Sequence, residues 1–305
     1  MTDSPPYKNG IELNTQKEPK CDHIRWFGVT YLGVQCSLFL YQLIDGGMRM
    51  SDAKPYLLAK LTWEEAKALF KETDIAIIPV GSQEQHGPAL PLDNDAFQAE
   101  TISHLVANQL WPRQKTVVTP LLSYGVSPHH MSFAGTVTLR HETFIDLIVD
   151  IGRSLAQHGI KKIVVINSHG GNTPALSIAL RKLFEEGLWC VGIEWWKITS
   201  DLIQETFEPP HCHADELETS VAWALGQRVL KEKRVDEPGR EPIPGFTSPT
   251  MFPPSPNFVP IWNTTDFTES GTIGYATRAT PEKGEKIVAV VVDRITAFIT
   301  KVANL

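Results

Sequence analysis

The chain opens polar, passes through one long uncharged run, and from residue 50 onward alternates short apolar stretches with amphipathic ones. Met1 to Lys20 holds few large apolar residues, too few to bury the surface that ordering requires. Trp26 to Ile44 has no charge and the length of a membrane span or a signal segment. Two Gln, a Ser, a Thr and two Gly interrupt that run, no strongly basic flank precedes it, and no small-residue cleavage site follows it. The expectation is an N-terminal extension over residues 1–50, a leader or a mis-assigned start, with no membrane span. Met48 or Met50 would then be the native start, since the Gly46-Gly47 pair is what a purine-rich ribosome-binding site would encode.

Residues 51–305 read as one catalytic-size domain. Thr62-Trp63-Glu64-Glu65 has capping-box spacing and opens a helix into Leu69 and Phe70. Ile75 to Val80 is short, β-branched and uncharged, the mark of a buried strand. A helix over Asp95 to Leu110 presents Phe97, Ile102, Leu105 and Val106, and a short strand covers Thr116 to Thr119. Phe144, Leu147, Ile148, Ile151 and Leu155 mark the next helix, followed by a strand over Lys162 to Ile166. Thr173-Pro174 opens a helix that Gly187 closes, Leu188 to Ile193 is a further strand, and Asp215 to Leu230 reads as helix. Glu237 to Pro260 is a Pro-rich loop, and Thr280-Pro281 starts a last helix through Ile287, Val291, Ile295 and Ile299. This βαβ rhythm predicts a mostly parallel sheet covered by helices on both faces.

Charge and cysteine content narrow the function. A formal charge of -7 and the lack of any Lys/Arg cluster argue against a nucleic-acid partner and favour a small molecule. The four cysteines are far apart and form no C-x-x-C pair, which fits a reducing cytoplasm.

The chemistry gathers at predicted strand ends and helix starts, where open α/β sheets keep their ligand sites. Glu84 and His86, two apart on extended backbone, point to one side, and Asp95 can swing back to them past the Gly87-Pro88 turn. His169 lies in Asn167-Ser168-His169-Gly170-Gly171-Asn172, directly after a strand. His211 to Ser220 leads into a helix, and Ser127-Pro128-His129-His130 forms an irregular loop. Plainer readings stand beside these. Asp215 and Glu218 have capping-box spacing, His129 and His130 have the composition of ordinary loop histidines, and the His169 loop could be a tight turn or an esterase oxyanion loop. No G-x-S-x-G elbow supports the esterase. Trp195 and Trp196 follow a strand end and are candidates for a pocket wall.

Five segments in order, Glu84 to Asp95 (EQHGPALPLDND), Ser127 to Leu139 (SPHHMSFAGTVTL), Asn167 to Asn172 (NSHGGN), His213 to Ser220 (HADELETS) and Ser270 to Ile287, resemble the creatininase family. The likeness runs from about Leu61 to the C-terminus. It implies a three-layer α/β/α sandwich, a two-metal hydrolytic centre and a homohexamer. It further implies that Glu84, His86, Asp95 and His169 are metal ligands, with Asp95 bridging, and that His213 is the catalytic histidine. Creatininase itself has a metal-binding Glu and a substrate-contacting Tyr where this chain has Gly171 and Gly170. Glu218 is therefore the candidate for the missing carboxylate, as ligand and catalytic group, in an HGGN-type branch. Cys212 and Ala89 also depart from the pattern, which points away from creatinine.

The resulting expectation is a metal-dependent hydrolase of a small linear or cyclic amide, acting on carbon–nitrogen bonds other than peptide bonds. Two divalent ions would serve, zinc and/or manganese, with iron or nickel possible from the ligand types. Ser127, His130 and Trp196 are the expected substrate contacts. Within the same family the alternatives are ring opening of a cyclic ketone or lactone such as a diketo-inositol, deformylation of a formamide, and hydrolysis of a small peptide. A noncatalytic metal or small-molecule binder is the alternative of a different class.

Overall fold

A computed structural model of the protein describes residues 54–243 and 261–305. The expected N-terminal extension and its alternative starts lie outside the described residues, as does the Pro-rich stretch from 244 to 260. Helix α1 (Trp63–Leu69) begins as its sequence predicts. The Thr62 hydroxyl accepts from the Glu65 N–H, and the Glu65 carboxylate accepts from the Thr62 N–H. Strand β1 (Ile75–Val80), helix α2 (Asn94–Leu110), strand β2 (Val117–Val118), helix α3 (His141–Gln157), strand β3 (Lys162–Asn167), helix α4 (Thr173–Glu185) and strand β4 (Trp189–Glu194) then alternate.

The four strands form one parallel sheet in the order β2-β1-β3-β4, with Val80 opposite Asn167 and Asn167 opposite Glu194. All these strands therefore deliver their carboxyl ends to one edge. Pro79 is tolerated in central β1 for a geometric reason. Its carbonyl accepts from the Leu122 N–H, on the side where β2 has already ended, so no ladder bond needs the N–H it lacks.

Period-2 alternation splits the apolar strand residues between two cores. Ile75, Ile77, Val164 and Ile166 face a cluster with Ile102 and Val106 of α2, Leu217 and Val221 of helix α6, and Ile287, Val291 and Ile295 of helix α8. Ala76, Ile78, Ile163 and Val165 face Phe144 and Ile148 of α3 and Leu176, Ala179 and Leu183 of α4. The result is the α/β/α sandwich implied by the resemblance. The remaining elements are helices α5 (Ser200–Thr206), α6 (Glu216–Ala224), α7 (Thr264–Phe267) and α8 (Pro281–Val302), with a two-strand antiparallel ribbon, β5 (Asp236–Glu237) and β6 (Gly274–Tyr275).

Three boundaries differ from expectation. β2 is half its predicted length because Pro120 ends pairing just after the Thr119 N–H reaches Ile77 O at 3.0 Å. α6 stops at Ala224 rather than Leu230, where the chain turns out through Gly226 and the Gln227 N–H bonds back to Ala222 O at 2.9 Å. Glu237, predicted as loop, pairs with Gly274. Among the described residues no helix is long and apolar enough to cross a membrane.

Candidate metal centre

The carboxyl ends of β1 and β3 and the amino end of α6 meet at a cavity of about 310 Å³. The Glu84 and His86 side chains both enter this region, each 1% exposed. Asp95 reaches them because α2 starts hard against the end of β1. A Cβ on Gly81 would lie 2.3 Å from Ala96 Cα, so only glycine permits that approach. His169 follows β3 directly, and Glu218 lies in the first turn of α6.

Three histidines have one ring nitrogen tied to a backbone carbonyl. His86 Nδ1 meets Glu84 O at 3.2 Å, His169 Nε2 meets Val126 O at 3.0 Å, and His213 Nε2 meets Gln85 O at 2.7 Å. A carbonyl accepts only from N–H, so each contact fixes the tautomer in which, once the ring is neutral, the other nitrogen carries the lone pair. Those nitrogens face carboxylates. His86 Nε2 is 3.0 Å from Asp95 Oδ1, while His169 Nδ1 is 3.1 Å from Glu84 Oε2 and 3.2 Å from Asp95 Oδ2. Glu218 Oε2 lies 3.8 Å from His86 Nε2 and 3.9 Å from His213 Nδ1. The His86–Asp95 pair is close but lacks hydrogen-bond geometry, leaving His86 Nε2 and Asp95 Oδ2 buried without a hydrogen-bond partner. Such orphaned donor atoms are costly unless a cation satisfies them. Three groups of ligand atoms lie within 4.8 Å of one another: Glu84, Asp95 and His169; His86, His213 and Glu218; and Glu84, His130 and His213.

The electrostatics are those of a site that holds protons in place of cations. Burial alone would push His86 down, but the Asp95, Glu218 and Glu84 carboxylates raise it to about 10. His169 is raised well above its ordinary range despite burial, chiefly by Glu84 and Asp95. Burial favours neutral Glu84, yet His169, His130 and His86 hold it well below the usual carboxylate range. Burial lifts Glu218 to about 8 and Asp215 to about 7. His213 goes the other way, to about 3, through burial and the neighbouring His86.

Eight of the nine expected site residues gather at this cavity: Glu84, Asp95, His169, His213, Glu218, His130 and Trp196 line it, and His86 lies against Asp95 and Glu218. Ser127 is the exception. It is fully buried, and its hydroxyl donates to Glu84 Oε2 at 2.5 Å while touching Ser82 Oγ and His169 Nε2. It therefore sits behind a carboxylate and does not line the cavity, turned inward by its bonds to Glu84 and His169. His130 both borders the cavity and places Nε2 3.2 Å from Glu84 Oε1.

The capping reading of Asp215 and Glu218 is realised in part. Asp215 caps α6 by accepting the Glu218 N–H at 2.9 Å, and Glu218 Oε2 accepts the Ala214 N–H at 2.6 Å while still facing His86. At Gly171 a Cβ would lie 2.3 Å from Val126 O and 2.4 Å from His169 Nε2. A carboxylate side chain is thus excluded there, and α6 supplies one from the other side.

Several residues went unnoticed in the sequence. Gln85, between two candidate ligands, must point away from them on extended backbone, and that spacing was the available signal. Its side-chain amide donates to His130 Nδ1 at 3.0 Å and to Gly271 O, and its backbone carbonyl accepts from His213 Nε2. Trp262, Thr264, Phe267 and Ile273 form a second wall. That wall is joined to the floor by paired backbone bonds between His213 and Ile273, at 3.3 and 2.7 Å.

Comparison with known proteins shows what the chain is similar to. The family model described as creatininase, creatinine amidohydrolase, matches residues 59–299. The mycofactocin precursor peptide peptidase of Mycobacterium tuberculosis is 32% identical over 231 residues, covering 71% of this chain and 81% of that protein. The creatinine amidohydrolase of Pseudomonas putida is 28% identical, over 80% of this chain and 95% of its own. Among solved structures, the manganese form of creatininase superposes with a TM-score of 0.66 at 28% identity, covering 81% of this chain and 98% of its own. A creatininase mutant of Zn-Zn type gives 0.67 over the same shares.

Proposed function

The chain belongs to the creatininase family, and on that premise we propose that it is a metal-dependent amidohydrolase that opens a carbon–nitrogen bond in a small linear or cyclic amide. The observation that carries this reading is the set of tautomer-fixed histidines whose free nitrogens face buried carboxylates, with His86 Nε2 and Asp95 Oδ2 left unpartnered. Glu84, Asp95 and His169 would hold one divalent ion, and His86, Asp95 and Glu218 a second, with Asp95 shared. Nitrogen and carboxylate donors without a thiolate suit zinc or manganese.

When bound, such ions lower the pKa of a water toward about 7 and polarise a carbonyl oxygen. The protein's part is positioning and proton transfer. His213 keeps its proton on Nε2 through Gln85 O, so Nδ1 is free to take a proton at the cavity and return it to the leaving nitrogen. Glu218, 3.9 Å from that nitrogen, steadies the charge His213 gains. Ser127 and His130 hold the Glu84 carboxylate from two sides. Gly170 and Gly171 line the cavity, and their backbone N–H groups would meet a developing oxyanion. Trp196 narrows the cavity and keeps bulk water from the reacting groups.

Chelation followed by readdition of zinc or manganese tests the reading, with turnover followed by NMR on cyclic amides, formamides, lactones, diketo-inositols and a short peptide. Activity on an amide should vanish and return with metal. Undiminished turnover after complete metal removal would sink the reading. Cleavage of the peptide alone would move the chain toward the activity named for its mycobacterial relative. The homohexamer implied by the resemblance belongs to the same proposal, and sedimentation of the purified protein decides it.

A further inference from the structure

The floor of the cavity is charged and its walls are not. Glu84, Asp95 and Glu218 face it from below, whereas Trp196, Trp262, Phe267 and Ile273 close it from the sides. No Lys or Arg lines it among the described residues. The chain that forms the second wall carries none either, for no Lys or Arg occurs between Arg240 and Arg278. The cations near it along the chain are paired elsewhere: Lys197 with Glu194, Arg240 with Glu269, Arg278 with Glu208, and Lys283 with Glu216. A phosphate or carboxylate carried on the distal part of a substrate, against the walls and away from the floor, would meet no Lys or Arg, and burying an unpaired anion is heavily disfavoured.

Two residues in the wall carry a buried polar atom without a hydrogen-bond partner, Ser168 at Oγ and Trp262 at Nε1. Ser168 lines the cavity, the residue is 4% exposed, and its Oγ is buried and makes no hydrogen bond. A buried hydroxyl left unsatisfied selects for a ligand atom that completes it, and a neutral carbonyl or amide does so without bringing charge. We propose that the substrate is an uncharged amide with an aromatic or other apolar body, held by the Trp196, Trp262 and Phe267 faces and by Ser168, and that its anionic counterparts are rejected. This rests on the hydrolase reading above.

Matched hydroxamates test it, because both bind metal through the same head and differ only in a distal charge. Calorimetry on the metal-loaded protein would compare benzohydroxamate with its 4-carboxy analogue. The neutral compound should bind at least about tenfold tighter, a gap typical of one uncompensated charge. Phe267→Arg should narrow or reverse that ratio, and Ser168→Ala should weaken both compounds by a similar small factor. Equal affinity for the two, or tighter binding of the carboxylate, overturns the substrate inference and leaves the hydrolase reading standing. Failure of both to bind a protein shown to contain metal overturns the hydrolase reading and the inference with it.

Discussion

The two halves of the candidate centre are built differently. Glu84 and His169 come from the ends of adjacent parallel strands, their contacts run at 3.1 to 3.2 Å with Asp95, and Glu84 is further held by Ser127 and His130. In the half formed by His86, Glu218 and His213, His86 keeps a 3.0 Å contact with Asp95, but Glu218 comes from a helix start, stands 3.8 to 3.9 Å from both histidines, and has a side chain 12% exposed against 1% for Glu84. A sheet edge fixes positions through its ladder, whereas a first helical turn has only its cap to hold it. The strand-end half is preorganised and the helix half is the one that adjusts, which leads us to expect unequal metal retention.

Asp95 belongs to both halves, so Asp95→Asn tests the comparison most severely. Both metals should be lost and kcat should fall by about three orders of magnitude or more, the scale of losing metal-ion stabilisation. A variant that kept one tightly bound ion would show the halves to be independent of their shared carboxylate. Next in size is the contrast between Glu84→Gln and Glu218→Gln. Metal analysis after dialysis should find the first depleted at the strand-end position and the second retaining about one ion per chain. Equal depletion in the two variants would erase the distinction between the halves. Ser127→Ala leaves every ligand in place and removes only support for Glu84, so metal affinity should drop about 10- to 100-fold. A loss confined to substrate KM, with metal affinity intact, would return Ser127 to the substrate-contact role expected from sequence.

The smallest effect is one of pH. In the metal-free protein the carboxylates raise His86 to about 10, so its contribution to stability is full below the unfolded value of about 6.5 and fades as pH rises through about 10. The apoprotein should therefore lose melting temperature between neutral pH and pH 10, and the metal-loaded protein should not lose it through this group. Metal binding near neutral pH should also release protons from His86 and His169, seen as a dependence of the calorimetric heat on buffer ionisation. Binding heats independent of buffer would contradict the tautomer and charge assignment.

Much of the sandwich was legible because its signals are local. Buried strands announce themselves as short β-branched runs, and Thr62 and Glu65 show their capping box directly. Glu84 and His86 were legible for the same reason, since period 2 puts them on one side. What could not be read depends on long-range approach. Asp95 is a candidate from sequence, but the contact that brings it in, α2 abutting β1 at Gly81, leaves no trace in spacing. Ser127 was assigned to the wrong surface because direction in an irregular loop is set by partners 43 residues away. The second wall stayed hidden because Trp262 and Phe267 lie in a stretch without hydrophobic periodicity, and α7, only four residues long, leaves none to detect.

The backbone pairing of His213 with Ile273 has a bearing on how such a protein can be altered. It rivets a proton-carrying side chain to the segment that shapes the pocket. Loop exchange for new selectivity therefore has a natural seam on the N-terminal side of Thr272, and grafts that cross it would retune reactivity and selectivity together.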